Sequence, residues 1–428
     1  MIREHKLTFS LEYMIFYWEC MRAMETKRQK YVVLAAGLAL MLCEGILYMW
    51  SVFQPYVVEH HGWAAGDVAM TSALMIACFV AGNILGGLVQ EKLPTRLIAL
   101  TGSLMFCLGM FLTSLIGSGT PAMIYLTYSV ISGLGCGLAY CTVLYALQKW
   151  FAAQNGLITG LTVAFFGLSV VVLSPVAEGL LSSFGVPFTF RTLSLVFLAI
   201  TGVSSLLMCK PSSEYYMREA SKVLRKDEFK QFTPREMLRT PMYYQIVISM
   251  LMASAAYLVL VPFIKTIATD RGMSDSVALA AVMVTGVANA AGRILAPAVS
   301  DKLGRTNVLI LCYVISAAAC LMMIFATGPL YIAAVFLIAF TYGGTSGVNP
   351  VMATELFGAK HSGTNYGLVM ISIAASSILF GKLSAVVGGS SSGSMTPVFV
   401  LCAVICVIPI VLMRMMHNFC LRKGGKRI

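Results

Sequence analysis

Charge is the scarce ingredient of this 428-residue chain: only 11% of its residues are charged, while 58% are apolar. A soluble domain carries about 25% charged residues, so a water-facing surface over most of this length is excluded. Histidine is scarce as well. The five, His5, His60, His61, His361 and His417, lie outside the centres of the apolar runs. No nucleophile with an adjacent base and no metal-ligand cluster accompanies them, which argues against an intramembrane enzyme. CxxC pairs are missing among the twelve cysteines. Cys43, Cys78, Cys107, Cys136, Cys141, Cys312, Cys320, Cys402 and Cys406 read instead as small buried hydrophobes, with neither a disulfide framework nor a metal site. No ATP-binding loop is present and no cofactor is called for; Gly133, Gly135 and Gly137 lack the preceding strand of a nucleotide loop and read as close helix packing.

Hydrophobic length is what the chain has in abundance. Apolar runs fall near 31–54, 68–90, 97–117, 121–148, 156–182, 190–209, 242–266, 275–300, 306–326, 329–352, 363–387 and 396–416. Each reaches the roughly 17–25 residues that cross a bilayer as a helix, the form that satisfies its own backbone polar groups in lipid. The fold class expected is an all-α membrane protein of twelve transmembrane helices in two six-helix bundles.

The formal net charge of +12 would suit nucleic acid, but the basic residues sit in short segments between apolar runs, the pattern of membrane insertion. One set of connections holds Arg22, Lys27, Arg28, Lys30, Lys92, Arg96, Lys149, eight Lys or Arg from Lys210 to Arg239, then Lys302, Arg305, Lys360 and a basic tail. The opposite set holds Arg191 and Arg271. This bias puts both termini in the cytoplasm and suggests a multi-pass protein of the cell membrane. The expected divisions are an N-terminal segment 1–30, a first bundle 31–209, a polar linker 210–241, a second bundle 242–416 and a tail 417–428.

A repeat marks the halves. Gly87-x-x-x-Glu91-Lys92-x-Pro94-x-Arg96 follows the second run and Ser300-Asp301-Lys302-x-Gly304-Arg305 follows the eighth, and Glu91 and Asp301 stand 210 positions apart. Duplicated halves about an axis along the membrane normal are a transporter arrangement. Residues 1–23 contain a run, Tyr13 to Trp18, too short to span. Translation from Met24 and an interfacial helix are the two readings of this segment.

The loop repeats resemble the signature of the major facilitator superfamily, with Glu91 for its Asp and Pro94 for its Gly in the first copy. Gly45 to Phe53, Gly135-x-Gly137-x-x-Tyr140 with Gln148-Lys149-Trp150-Phe151, Gly292-Arg293, and Glu355 to Gly367 together are similar to the oxalate/formate antiporter family, kin of the monocarboxylate transporters. The resemblance implies a secondary transporter in which an arginine matching Arg293 binds the substrate carboxylate. It also implies a second central cation, a lysine of the eleventh span, in members that handle oxalate. Ile373 stands at or next to that place, so a monocarboxylate is expected over oxalate.

Depth sorts the ionisable residues. Arg293 precedes Asp301 by eight residues, about 12 Å of helix, which puts it near the bilayer midplane, where a guanidinium needs a partner or a cavity. Its planar fork suits a carboxylate. Glu44 is also central, and proton coupling, a counter-ion for Arg293 and a polar cavity wall are all open to it. Tyr48, Trp50, Tyr140, Tyr145 and Tyr342 are candidates to line the substrate cavity, and Asn289, one turn before Arg293, to hold its guanidinium. Glu91, Arg96, Asp301 and Arg305 are expected to gate the cytoplasmic side. Lys265 and Lys382 are expected to snorkel outward.

The function expected is alternating-access transport of a small organic anion, a monocarboxylate such as formate, lactate or pyruvate, by a monomer, as antiporter or proton symporter. Oxalate/formate exchange, drug efflux and a non-transporting sensor are the alternatives. A central Arg disfavours cationic drugs, and no signalling domain accompanies the spans.

Overall fold

A computed structural model describes residues 28–90, 92–117, 120–221, 231–358, 362–388 and 395–422. Residues 1–23 and Glu91 lie outside them. Eleven helices among the described residues are long and apolar enough to cross a membrane, and one of these, Leu157–Leu207, is 51 residues long. That helix is two spans. Gly185 interrupts it at φ 77°, ψ −179°, a backbone conformation open to glycine, and Pro187 follows two residues later. The count among the described residues is therefore twelve.

In chain order, span 1 is Arg28–His61, span 2 Ala65–Val89, span 3 Thr95–Thr113 and span 4 Pro121–Trp150. Spans 5 and 6 lie on either side of Gly185. Span 7 is Pro241–Asp270, span 8 Asp275–Leu303, span 9 Arg305–Met323, span 10 Gly328–Phe357, span 11 Ser362–Gly388 and span 12 Thr396–Phe419. Leu104, Leu108, Val172, Val176, Leu195, Leu321 and Val404 are exposed around the bundle. So wide an apolar surface suits lipid, not water.

Helices in lipid gain no hydrophobic drive toward one another, so close packing of small residues holds them. The two halves use the same device at matching positions. A Cβ on Gly82 would lie 2.2 Å from the Leu134 carbonyl oxygen, and one on Gly292 2.1 Å from that of Phe340. Gly82 and Gly292 stand 210 positions apart. Gly137 against Phe79 and Gly343 against Asn289 repeat the pattern at 1.9 and 2.2 Å, and Phe79 and Asn289 are again 210 apart. Spans 2 and 4 thus pair as spans 8 and 10 do, and the position matching Arg293 in the first half is the buried Asn83.

The halves meet along span 2 with span 11 and along span 5 with span 8. Ser377 Oγ donates to the Ala73 carbonyl at 3.0 Å, and a Cβ on Gly286 would sit 2.7 Å from the Gly167 carbonyl oxygen. On one face of the bundle, the linker face, the chain after span 6 is pinned to the first half. Trp150 Nε1 donates to the Cys209 carbonyl at 2.8 Å, and Lys210 bonds the Gln90 carbonyl. The end of the linker docks on the second half, where Phe232 N donates to the Phe357 carbonyl at 2.9 Å. The opposite face, with the turns after spans 1 and 7, is the far face.

Candidate functional site

Span 1 tightens to a 3-10 stretch over Gly45–Met49. Gly45 lets it approach span 5, since a Cβ there would lie 2.0 Å from the Phe166 carbonyl oxygen. This contact delivers Tyr48 to the plane between the halves. From the other side, the Gly292–Phe340 and Gly343–Asn289 contacts fix spans 8 and 10, and with them Arg293 and Tyr342.

Arg293 is 6% exposed. Its Nε donates to Asn289 Oδ1 at 2.7 Å and its Nη2 to Tyr48 Oη at 3.2 Å. The guanidinium carbon lies 6.0 Å from the Tyr48 ring centre. Tyr140 and Tyr342 also act on it electrostatically, as does Tyr366 of span 11. The rings form a continuous cage. Tyr257 of span 7 stacks on Tyr342 at 4.2 Å and 14°, Tyr48 meets Tyr257 edge-on at 6.0 Å, and Phe166 touches both Tyr48 at 5.5 Å and Tyr140 at 5.1 Å. Both halves contribute. Among the described residues, no carboxylate forms an ion pair with Arg293.

Several expected members stand elsewhere. Glu44 is fully buried, and neither carboxyl oxygen has a hydrogen-bond partner. Its electrostatic neighbours are Cys43, Cys107 and Cys136, inside the first half, so it is not a counter-ion to Arg293 in this conformation. Trp50 donates from Nε1 to the Val68 carbonyl at 3.0 Å and packs on Tyr128 at 4.9 Å, in the wall of the first half and not in the cage. Tyr145 lies under Lys149 at 4.4 Å and Lys210 at 5.2 Å, on the linker face. Tyr257, Tyr366 and Phe166 join the cage although no sequence pattern marks them. Tyr366 falls in the quoted Glu355 to Gly367 stretch, but nothing there tells its ring from a packing aromatic.

Lys265 departs from the expected outward position. It is 5% exposed and does not snorkel, because Glu178 of span 5 takes its Nζ at 2.6 Å, and a neutralised ammonium need not reach water. Lys382 is exposed. On the linker face Arg305 pairs with Asp301 at 2.5 Å and Glu355 at 2.8 Å and donates to Ser300 Oγ at 2.5 Å. These partners all belong to the second half. Arg96 is exposed on span 3, within electrostatic reach of Cys209.

Comparison with known proteins matches this architecture. The profile of the Major Facilitator Superfamily covers residues 33–381, with an overlapping match over 246–418. The chain belongs to that superfamily, a multi-pass membrane protein of a transporter family. It is similar to an uncharacterized MFS-type transporter, YhjX, of Escherichia coli strain K12, 27% identical over 82% of this chain and 87% of that one. It is also similar to the oxalate:formate antiporter of Oxalobacter formigenes, 26% identical over 83% of this chain and 84% of the relative. Monocarboxylate transporter 13 of Rattus norvegicus is 29% identical over 36% of this chain and 35% of its own.

Proposed function

We propose that the protein is a secondary active transporter that carries a small organic anion, a monocarboxylate such as formate, lactate or pyruvate, by alternating access between its two halves. The observation that carries this reading is Arg293, a buried guanidinium between the halves whose described partners are neutral. A buried charge without a counter-charge is costly, and a visiting carboxylate supplies one with matching planar geometry. Phenol hydroxyls of Tyr48, Tyr140 and Tyr342 offer further donors, and the rings flank a small planar anion. The similarity to the oxalate:formate antiporter and to monocarboxylate transporters supports the carboxylate class. Ile373, buried at or next to the place where oxalate carriers of the resembled family hold a second cation, favours one negative charge over two.

In this reading the linker face is cytoplasmic, as the Lys and Arg distribution implies, in the cell membrane. Asp301 and Arg305, with Arg96 and Glu91 of the first half, serve as gating groups there. Glu44 is the candidate for proton coupling, which would make the carrier a symporter; without that role, exchange of anions supplies the drive.

The test is uptake of labelled formate, lactate, pyruvate and oxalate into proteoliposomes, with either an imposed pH gradient or a preloaded counter-anion. Monocarboxylate accumulation that Arg293→Ala abolishes in folded protein is the expected result. Normal uptake by that variant overturns the mechanism, and a preference for oxalate overturns the substrate charge.

A further inference from the structure

On the far face one carboxylate joins three spans. Glu178 Oε1 of span 5 accepts from Tyr56 Oη of span 1 at 2.7 Å and from Lys265 Nζ of span 7 at 2.6 Å. The Lys265 side chain is 7% exposed and that of Glu178 19%, so water screens the pair little. Lys265 also lies 5.1 Å from the Tyr56 ring centre. Spans 1 and 5 belong to the first half and span 7 to the second, so the ion pair crosses the plane along which the halves must separate. It stands eight residues beyond Tyr257 of the cage, about 12 Å toward the far face. The Ser377–Ala73 hydrogen bond crosses the same plane.

We propose that Tyr56, Glu178 and Lys265 form a latch that holds the far face closed and sets the balance between the two access states. The pair has to break for the far side to open, since its members ride on different halves. Breaking a buried pair leaves two bare charges until water enters, and this stabilises the closed arrangement against the open one. A hydrogen bond within one half would impose no such bias. The Arg305–Asp301–Glu355 cluster, confined to the second half, is of that neutral kind in this conformation. The inference rests on the alternating-access reading but not on the identity of the anion.

Hydrogen–deuterium exchange of the full chain in lipid nanodiscs tests it without substrate. In Glu178→Gln and Lys265→Met, peptides at the far ends of spans 1 and 7 should exchange faster, on the order of tenfold for a coupling of ordinary size, while linker-face peptides of spans 2 and 11 exchange more slowly. The doubly exchanged Glu178→Lys/Lys265→Glu variant should return both toward wild type. Tyr56→Phe, which removes a single hydroxyl, should shift exchange the same way by less, and it serves if the charge variants do not fold. Unchanged far-face exchange overturns the latch. Faster exchange on both faces together also overturns it, because that marks a bond that merely stabilises the fold. Loss of uptake in Arg293→Ala bears on the anion reading alone and leaves this exchange pattern untouched.

Discussion

Asn289 and Arg293 lie one turn apart on span 8, and Asn289 Oδ1 accepts the Arg293 Nε–H at 2.7 Å. This bond uses the side of the guanidinium and aims its end at the Tyr48 hydroxyl across the plane between the halves. In the proposed mechanism a carboxylate arriving there meets a fork already oriented. Asn289→Leu should therefore raise the KM for the transported anion about tenfold, the worth of a hydrogen bond to a charged group, with a smaller effect on maximal rate. Concentration-dependent uptake in proteoliposomes measures it.

Shape should matter at Arg293 beyond charge. Lysine keeps the positive charge but loses the planar fork and the Nε–H that Asn289 holds. Arg293→Lys is expected to lose at least tenfold in uptake at low substrate, since one charge-assisted bond is worth about 1.5–3 kcal/mol. Uptake within twofold of wild type would mean that a point charge suffices.

The tyrosines divide by location. Tyr140→Phe, which removes a hydroxyl beside the guanidinium, should weaken anion uptake several-fold, in line with about 0.5–1.5 kcal/mol for a hydrogen bond. Tyr145→Phe, on the linker face beneath Lys149 and Lys210, should leave affinity unchanged. Equal effects of the two substitutions would contradict the placement of the cage.

Glu44→Gln separates the modes of coupling. If Glu44 carries the proton, accumulation driven by a pH gradient disappears while exchange against a preloaded anion persists. If it is only a buried polar group, both survive. Paired measurements on one preparation of liposomes decide.

Gly292→Ala should cost more than an ordinary surface change. Its Cβ would sit 2.1 Å from the Phe340 carbonyl oxygen, an overlap of backbone that no rotamer relieves, so destabilisation of at least about 1–3 kcal/mol is expected. A lower melting temperature in detergent reports it, and Gly87→Ala, where a Cβ meets nothing within 4 Å, is the control.

The architecture was legible because lipid imposes length and composition on every span, and those are visible without knowing any contact. Even the break between spans 5 and 6 left its trace as a polar dip around Arg191 and Pro187. Arg293 and Asn289 stood out for a related reason: a permanent charge in an apolar run is rare, and four residues along a helix is one face. The aromatic lining was less readable. The chain has 18 tyrosines and 23 phenylalanines, and whether a ring faces a cavity or a neighbouring helix depends on helix rotation, which a uniformly apolar span does not encode. Nothing in the sequence therefore separates Trp50 and Tyr145, which stand outside the cage, from Tyr257 and Tyr366, which belong to it. The burial of Lys265 is not legible in the sequence because its partner, Glu178, is 87 positions away, beyond any local pattern.

The matched glycine contacts give the two halves the same scaffold, yet Asn83 stands where strict duplication would put a second guanidinium. In the proposed cycle the passenger therefore finds its counter-charge on one wall only, and the other wall meets it with neutral hydroxyls. On that reading the asymmetry between the walls goes back to a single pair of corresponding positions, Asn83 and Arg293.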